Sequence, residues 1–249
     1  MIGILVPMPQ EIALILAQMQ IHETVEAGMR TYYRGILAGK EVVVALSRIG
    51  KVASATTAAF MINRFGVKLI VCTGVAGGAA DEINIGDICI ATSAVQHDMD
   101  ARGLFPQYEI PLLGVKYFFT NPKLVNTAFE STSNYIKNEL KAHINSNIIN
   151  EFGIGSVKVH IGMLASGDQF IGSAQKLAEI KKGLPDTLFV EMEGAAVAQV
   201  GFEHSVEVLN IRIISDKAND KAHIDFENFV ENAAKYMTLG VITHFLEVV

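Results

Sequence analysis

Charge is scarce in this chain. Of its 249 residues only 18% are charged, and 20 basic against 26 acidic side chains leave a net charge of −6. With 50% apolar residues, this excludes a disordered chain, which combines low hydropathy with high charge. No basic tract is present, so binding to a phosphate backbone is not expected. Long apolar runs are also missing. The run around Leu69–Cys72 is typical, far short of the roughly 20 residues that a membrane helix needs. Met1–Pro7 lacks the basic start of a signal peptide and reads as a strand. There are two cysteines, Cys72 and Cys89, each in an apolar run and with no CxxC. They read as buried thiols in a reducing cytosol, which makes the expected location cytoplasmic. The seven histidines form no HxxxH pair or His/Cys cluster, so neither a metal nor a cofactor is expected.

What the sequence does have is alternation. Ile2–Val6 reads as a strand and Gln10–Met19 as a helix. Thr31–Leu37 and Glu41–Ser47 read as strands around the turn Ala38-Gly39-Lys40, and Val52–Arg64 as a helix ending at Phe65-Gly66. Leu69–Thr73, Asp87–Val95, Val157–Ala165, Leu188–Glu191 and Val206–Ser215 are further strands. Pro122–Lys137, Ser173–Lys182, Gly194–Glu203 and Phe226–Val248 are further helices. Near-continuous apolar strands between helices indicate a sheet covered on both faces. The expected fold is α/β with a mixed sheet, in one domain spanning residues 1–249. Ala101–Tyr117, rich in Pro, Gly and aromatics, is a long loop of the kind that carries function. The polar, Asn-rich stretch 137–155 has no clear pattern.

Five places could carry chemistry. Gly74-Val-Ala-Gly-Gly78, with Val75, Ala76 and Gly77 at its centre, follows a strand. It is either a close backbone approach to an anion or sugar oxygen, or a tight turn. Glu191-Met-Glu193 joins a strand to an Ala-rich helix. Period-2 geometry puts both carboxylates on one face and Met192 on the other; alternatively, Glu193 only favours the helix N-terminus. Arg212-Ile-Ile-Ser-Asp216 ends a strand. Asp216 there suits an acid or an Asx turn, and Arg212 needs a buried acidic partner, which Glu191 or Glu193 could supply. Glu11, taken alone, reads as a solvated carboxylate at a helix start. Ser166-Gly-Asp-Gln-Phe170 is a turn whose aromatic could stack on a planar ligand. Together these strand ends suit acid–base cleavage of a glycosidic bond in a neutral ligand with an aromatic group.

As a set, the motifs Ile2–Glu11, Ser47–Val52, Thr73–Gly78, Gln96–Asp100, Ser166–Phe170, Val190–Gly194 and Arg212–Asp216 run nearly end to end. The chain resembles the bacterial 5′-methylthioadenosine/S-adenosylhomocysteine nucleosidases of the nucleoside phosphorylase superfamily. The resemblance implies a three-layer α/β/α sandwich around a mixed, partly barrelled sheet. It also implies a homodimer that hydrolyses an adenine thionucleoside. Asp216 matches the acid that protonates purine N7, and Glu11 the carboxylate that activates water. Glu193 matches the ligand of the ribose hydroxyls, Met192 the residue packed on the ribose, and Phe170 the base-stacking ring. Ile171 matches the residue whose backbone recognises adenine. Met8, Glu191, Arg212, Ser215 and Phe226 fall at other site positions. Ile49, Ala101, Leu104 and Pro111 are expected in the partner subunit's site.

Some residues depart from the family pattern. Val75 stands where some members have Ser, and Arg48 where some have Gly. Val75, the Gln96–Asp100 run and Gln169 look closer to the subset that also cleaves aminodeoxyfutalosine. A phosphate-dependent phosphorylase is the competing reading, because Arg48 could meet phosphate. A non-catalytic nucleoside-binding protein is the third, and the presence of all three carboxylates argues against it.

Overall fold

The computed structural model describes residues 1–218, 226 and 228–249. Its elements are β1 (Ile2–Val6), α1 (Pro9–Ala17), β2 (Gln20–Ala27), β3 (Arg30–Leu37), β4 (Lys40–Leu46), α2 (Lys51–Phe65), β5 (Leu69–Cys72) and β6 (Val75–Gly78). Then come β7 (Ile88–Gln96), β8 (Phe118–Phe119), α3 (Pro122–Asn138), α4 (Leu140–His143), α5 (Ser146–Phe152) and β9 (Val159–Ser166). The last are α6 (Ala174–Gly183), β10 (Thr187–Glu191), α7 (Gly194–His204), β11 (Glu207–Asp216) and α8 (Lys235–Val248).

Eleven strands form one mixed sheet in the order β2-β3-β4-β1-β5-β11-β6-β10-β9-β7-β8. β11 also pairs antiparallel with β7. That pairing closes β11, β6, β10, β9 and β7 into a five-stranded barrel, so the partly barrelled α/β fold is as expected.

Side-chain parity explains the layers. Ile4, Val6, Val42, Val44, Val71, Leu209 and Ile211 join one apolar cluster with Ile12 and Ile15 of α1, Val125 of α3 and Phe245 of α8. Their neighbours Leu5, Val43, Ala45, Ile70 and Cys72 join a second cluster with Ala58 and Met61 of α2 and Ala195 and Val197 of α7. Strands β1, β4 and β5 therefore bury both faces, and each fully buried Val, Ile or Leu contributes about 1.5–3 kcal/mol.

Three segments differ from expectation. Val75–Gly78 is neither a turn nor an open loop but β6, parallel to β11 and antiparallel to β10. Its small residues fit where β6 crowds the end of β11: a Cβ added at Gly77 would lie 3.0 Å from Ala218 Cβ and 3.1 Å from Asp216 Oδ1. β2 was not legible because it is a polar edge strand with one partner, β3. The stretch 137–155 contains α4 and α5. In the final helical region Val230–Ala234 forms a π-helical turn ahead of α8; Glu227 of the expected helix lies outside the described residues.

Candidate active site

Ligands of α/β sheets sit beyond the strands' carboxyl ends, and a cleft lies there. Pro7 and Met8 follow β1, Ile49 follows β4, and Val75, Ala76 and Gly77 belong to β6. Gln169, Phe170 and Ile171 follow β9. Val190 and Glu191 end β10, Met192 and Glu193 follow it, Ser215 and Asp216 end β11, and Phe226 completes the wall. Phe170 is 43% exposed and meets Phe226 edge to face at 6.0 Å. The ionisable side chains among the described lining residues are Glu191, Glu193 and Asp216.

A buried charge network supports this rim. Arg212 is fully buried. Its Nη1 donates to the Thr73 carbonyl at 2.6 Å, and its Nη2 donates to Glu191 Oε2 and to Cys72 Sγ at 3.2 Å. The same nitrogen lies 3.5 Å from Glu193 Oε2. Both expected partners of Arg212 are therefore present, but Arg212 supports the site from behind and does not line the cleft.

Glu191 also has its oxygens committed inward. They accept from Ser166 Oγ, from Glu193 N at 3.0 Å and from Gly194 N at 2.8 Å. The carboxylate that satisfies the α7 N-terminus is thus Glu191, so the alternative reading of Glu193 as a mere helix-start residue does not hold. Glu193 Oε1 accepts from Gly50 N at 2.9 Å. Burial, reinforced by neighbouring Glu191, pushes the Glu193 carboxyl above its ordinary range, against the pull of Arg212 and the Gly50 N–H. Cutting Arg212 back to Met leaves these carboxylates buried without a counter-charge. We expect Arg212→Met to cost about 3–5 kcal/mol in urea unfolding at pH 7. A loss under about 1 kcal/mol would show that burial of the pair is not maintained in solution.

On β11 the register against β6 shifts between Ile214 and Asp216. Such an irregularity re-aims side chains, and both Ser215 and Asp216 reach the cleft. Asp216 is 3% exposed. Its Oδ2 accepts from Ser215 Oγ at 2.8 Å, and its Oδ1 accepts from Ala218 N at 2.7 Å. The Asx turn and the cleft-facing carboxyl are therefore one residue seen from two sides.

Glu11 corrects the residue-by-residue expectation. It is fully buried rather than solvated, because α1 packs its first turn under the sheet. Thr238 Oγ1 donates to its Oε1 at 3.3 Å, while Oε2 is buried with no hydrogen-bond partner among the described residues. Burial raises its pKa to about 7 despite nearby Arg212 and the Thr238 hydroxyl. It does not line the cleft itself but follows the lining residues Pro7 and Met8 on α1.

Ile49, expected in the partner's site, lines the cleft of its own chain. The reason is local: β4 ends beside β1, and Gly50 N is tied to Glu193. Ala101, Leu104 and Pro111 are not among the lining residues, and Leu104 is 86% exposed. Arg48 turns away, its Nη2 donating to the Met29 carbonyl at the β2–β3 turn.

A family model described as the phosphorylase superfamily matches residues 1–246. The chain belongs to this superfamily. A 5′-methylthioadenosine/S-adenosylhomocysteine nucleosidase of Staphylococcus aureus is 32% identical over 235 residues, 94% of each chain. The structure of such a nucleosidase from Neisseria meningitidis, in complex with methylthio-immucillin-A, superposes with a TM-score of 0.86 at 29% identity. That match covers 100% of this chain and 99% of the other. A futalosine hydrolase of Helicobacter pylori matches with a TM-score of 0.82 at 30% identity, covering 100% and 97%. Against this superfamily background, Pro7, Gln169 and Val190 are cleft residues that sequence reading missed. All three lie inside motifs already singled out, Pro7 in Ile2–Glu11, Gln169 in Ser166–Phe170 and Val190 at the start of Val190–Gly194, so motif membership was the available signal.

Proposed function

We propose that the chain hydrolyses the N-glycosidic bond of 5′-methylthioadenosine and S-adenosylhomocysteine, releasing adenine and the thioribose. One observation carries the reading against a phosphorylase: the described cleft lining offers three carboxyl side chains and neither arginine nor lysine. Carboxylates repel phosphate, and Arg48, the candidate for binding it, is held at the β2–β3 turn.

Adenine leaves poorly as an anion, so Asp216 protonates N7 as the bond breaks. The ribose becomes oxocarbenium-like, and Glu193 holds its hydroxyls where that charge grows. Glu11, with a pKa of about 7 and a free buried oxygen, takes the proton of the attacking water. Phe170 stacks on the base, the Ile171 backbone reads its edge and Met192 packs under the sugar. No covalent intermediate is needed.

The finer parts of the proposal are one domain per chain, a homodimer and action in the cytoplasm within methionine salvage. Exposed Leu104 and Leu112, 86% and 94% accessible, support a second copy covering the Ala101–Tyr117 segment. Free, buried Cys72 and Cys89 suit a reducing compartment. Among the described residues no helix is long and apolar enough to cross a membrane. Val75 and Gln169 in the cleft wall favour aminodeoxyfutalosine as a further substrate. Rates of adenine release from methylthioadenosine, adenosylhomocysteine, deoxyadenosine and aminodeoxyfutalosine test the range. Faster release from deoxyadenosine than from the thionucleosides would overturn it.

A further inference from the structure

Lys51, the first residue of α2, lines no part of the cleft, yet it joins segments that do. Its ammonium donates to Asp98 Oδ1 at 2.7 Å and to Gln96 Oε1 at 3.1 Å. Its backbone N–H donates to Asp168 Oδ1 at 2.7 Å, and the Asp168 N–H donates to Asp98 Oδ2 at 2.9 Å. Lys51, Asp98 and Asp168 therefore close a ring of three hydrogen bonds. On one side Asp168 leads directly into Gln169, Phe170 and Ile171. On the other, Gly50 gives its N–H to Glu193 Oε1 at 2.9 Å. Gly50 sits at φ +98°, and a Cβ there would lie 3.0 Å from Asp168 Oδ1, so any other residue would be strained and would push Asp168 aside. Gln96 extends the ring to α7 by donating to Gln199 Oε1 at 2.7 Å.

The Lys51 and Asp98 side chains are only 18% and 17% exposed, which shields the pair more than a surface ion pair. Burial alone would raise the Asp98 carboxyl, but the Lys51 ammonium and the Asp168 N–H outweigh it and hold Asp98 below its usual range.

We propose that Lys51 is a positioning residue that, through Asp98 and Asp168, locks the base-binding segment 169–171 to the Ile49–Gly50 turn that holds Glu193. The kinetic part rests on the nucleosidase reading above. Glu11 and Asp216 have separate supports in Thr238, Ser215 and the Ala218 N–H. Glu193 itself keeps its second anchor on Arg212 at 3.5 Å, so loss of the lock loosens binding more than it slows the chemical step.

The test compares wild type, Lys51→Met, Lys51→Arg, Asp98→Asn and the Lys51→Met/Asp98→Asn double variant. Kinetics use methylthioadenosine, and amide exchange uses the free proteins. Lys51→Met is expected to raise KM about tenfold with kcat changed less than about threefold, the loss of one charged hydrogen bond being felt in binding. Lys51→Arg should recover most of that loss. The double variant should be no worse than Lys51→Met, because both changes break one contact. Amides of 167–171 should exchange about tenfold faster in Lys51→Met, with the sheet strands unchanged. Unchanged KM and exchange would overturn the proposal, as would a fall in kcat at constant KM. If Lys51→Met unfolds, Asp98→Asn carries the same criteria. If wild type releases no adenine, the nucleosidase reading fails, while amide exchange still decides whether the lock exists.

Discussion

Asp216→Asn should keep the fold and lose adenine release by about 10³-fold or more, within the range that a positioned general acid supplies. An amide can still accept from the Ala218 N–H through its oxygen, and the Ser215 hydroxyl can rotate to accept from the new NH₂. The hydrogen bonds of Asp216 to Ser215 and Ala218, among the described residues, therefore have replacements, and the melting temperature should stay within a few degrees. What the amide cannot do is give a proton to N7. The leaving adenine would then depart as an anion, and about 4 kcal/mol of transition-state stabilisation disappears for each 10³ in rate. Single-turnover adenine release with thermal unfolding alongside checks both halves. Turnover within tenfold of wild type would remove Asp216 from the role of acid.

Glu11→Gln is the second large effect. The amide keeps the volume and the Thr238 contact but cannot take a proton from water, so kcat should fall about 10³-fold while the substrate still binds. Stability should move in the opposite direction. Glu11 has a folded pKa of about 7 against an ordinary value of 4.5. Below pH 4.5 it is protonated in both states and costs nothing. As pH rises from 4.5 through 7 the unfolded chain releases the proton more readily, so wild type loses up to about 3 kcal/mol. Glu11→Gln should thus be more stable than wild type at pH 8 and equal to it near pH 4. Equal stability at both pH values would mean that Glu11 is solvated. The same ionisation predicts a wild-type kcat/KM that rises with pH through about 7.

The sheet was legible where apolar strands bury both faces, as at Ile2–Val6 and Val208–Ile214. Arg212 was legible for a related reason: a guanidinium inside an apolar strand requires buried acid, and Glu191 and Glu193 supply it. Glu11 was not, because nothing local distinguishes a solvated first-turn carboxylate from one buried by α8 packing overhead. β6 was hidden by its glycines, which signal turns in isolation but serve close packing against the end of β11. The split between Glu191 and Glu193 depends on where α7 begins, a boundary that one residue's shift decides. The Lys51 ring joins residues 47 and 117 positions apart, a separation that periodicity does not see.

Hydrolysis is the central claim, and product analysis tests it most directly. The protein is incubated with methylthioadenosine, with and without inorganic phosphate, and adenine and the sugar are identified. The carboxylate-lined cleft predicts adenine and free methylthioribose at the same rate in both samples. Adenine released only with phosphate, together with a ribose 1-phosphate ester, would contradict it.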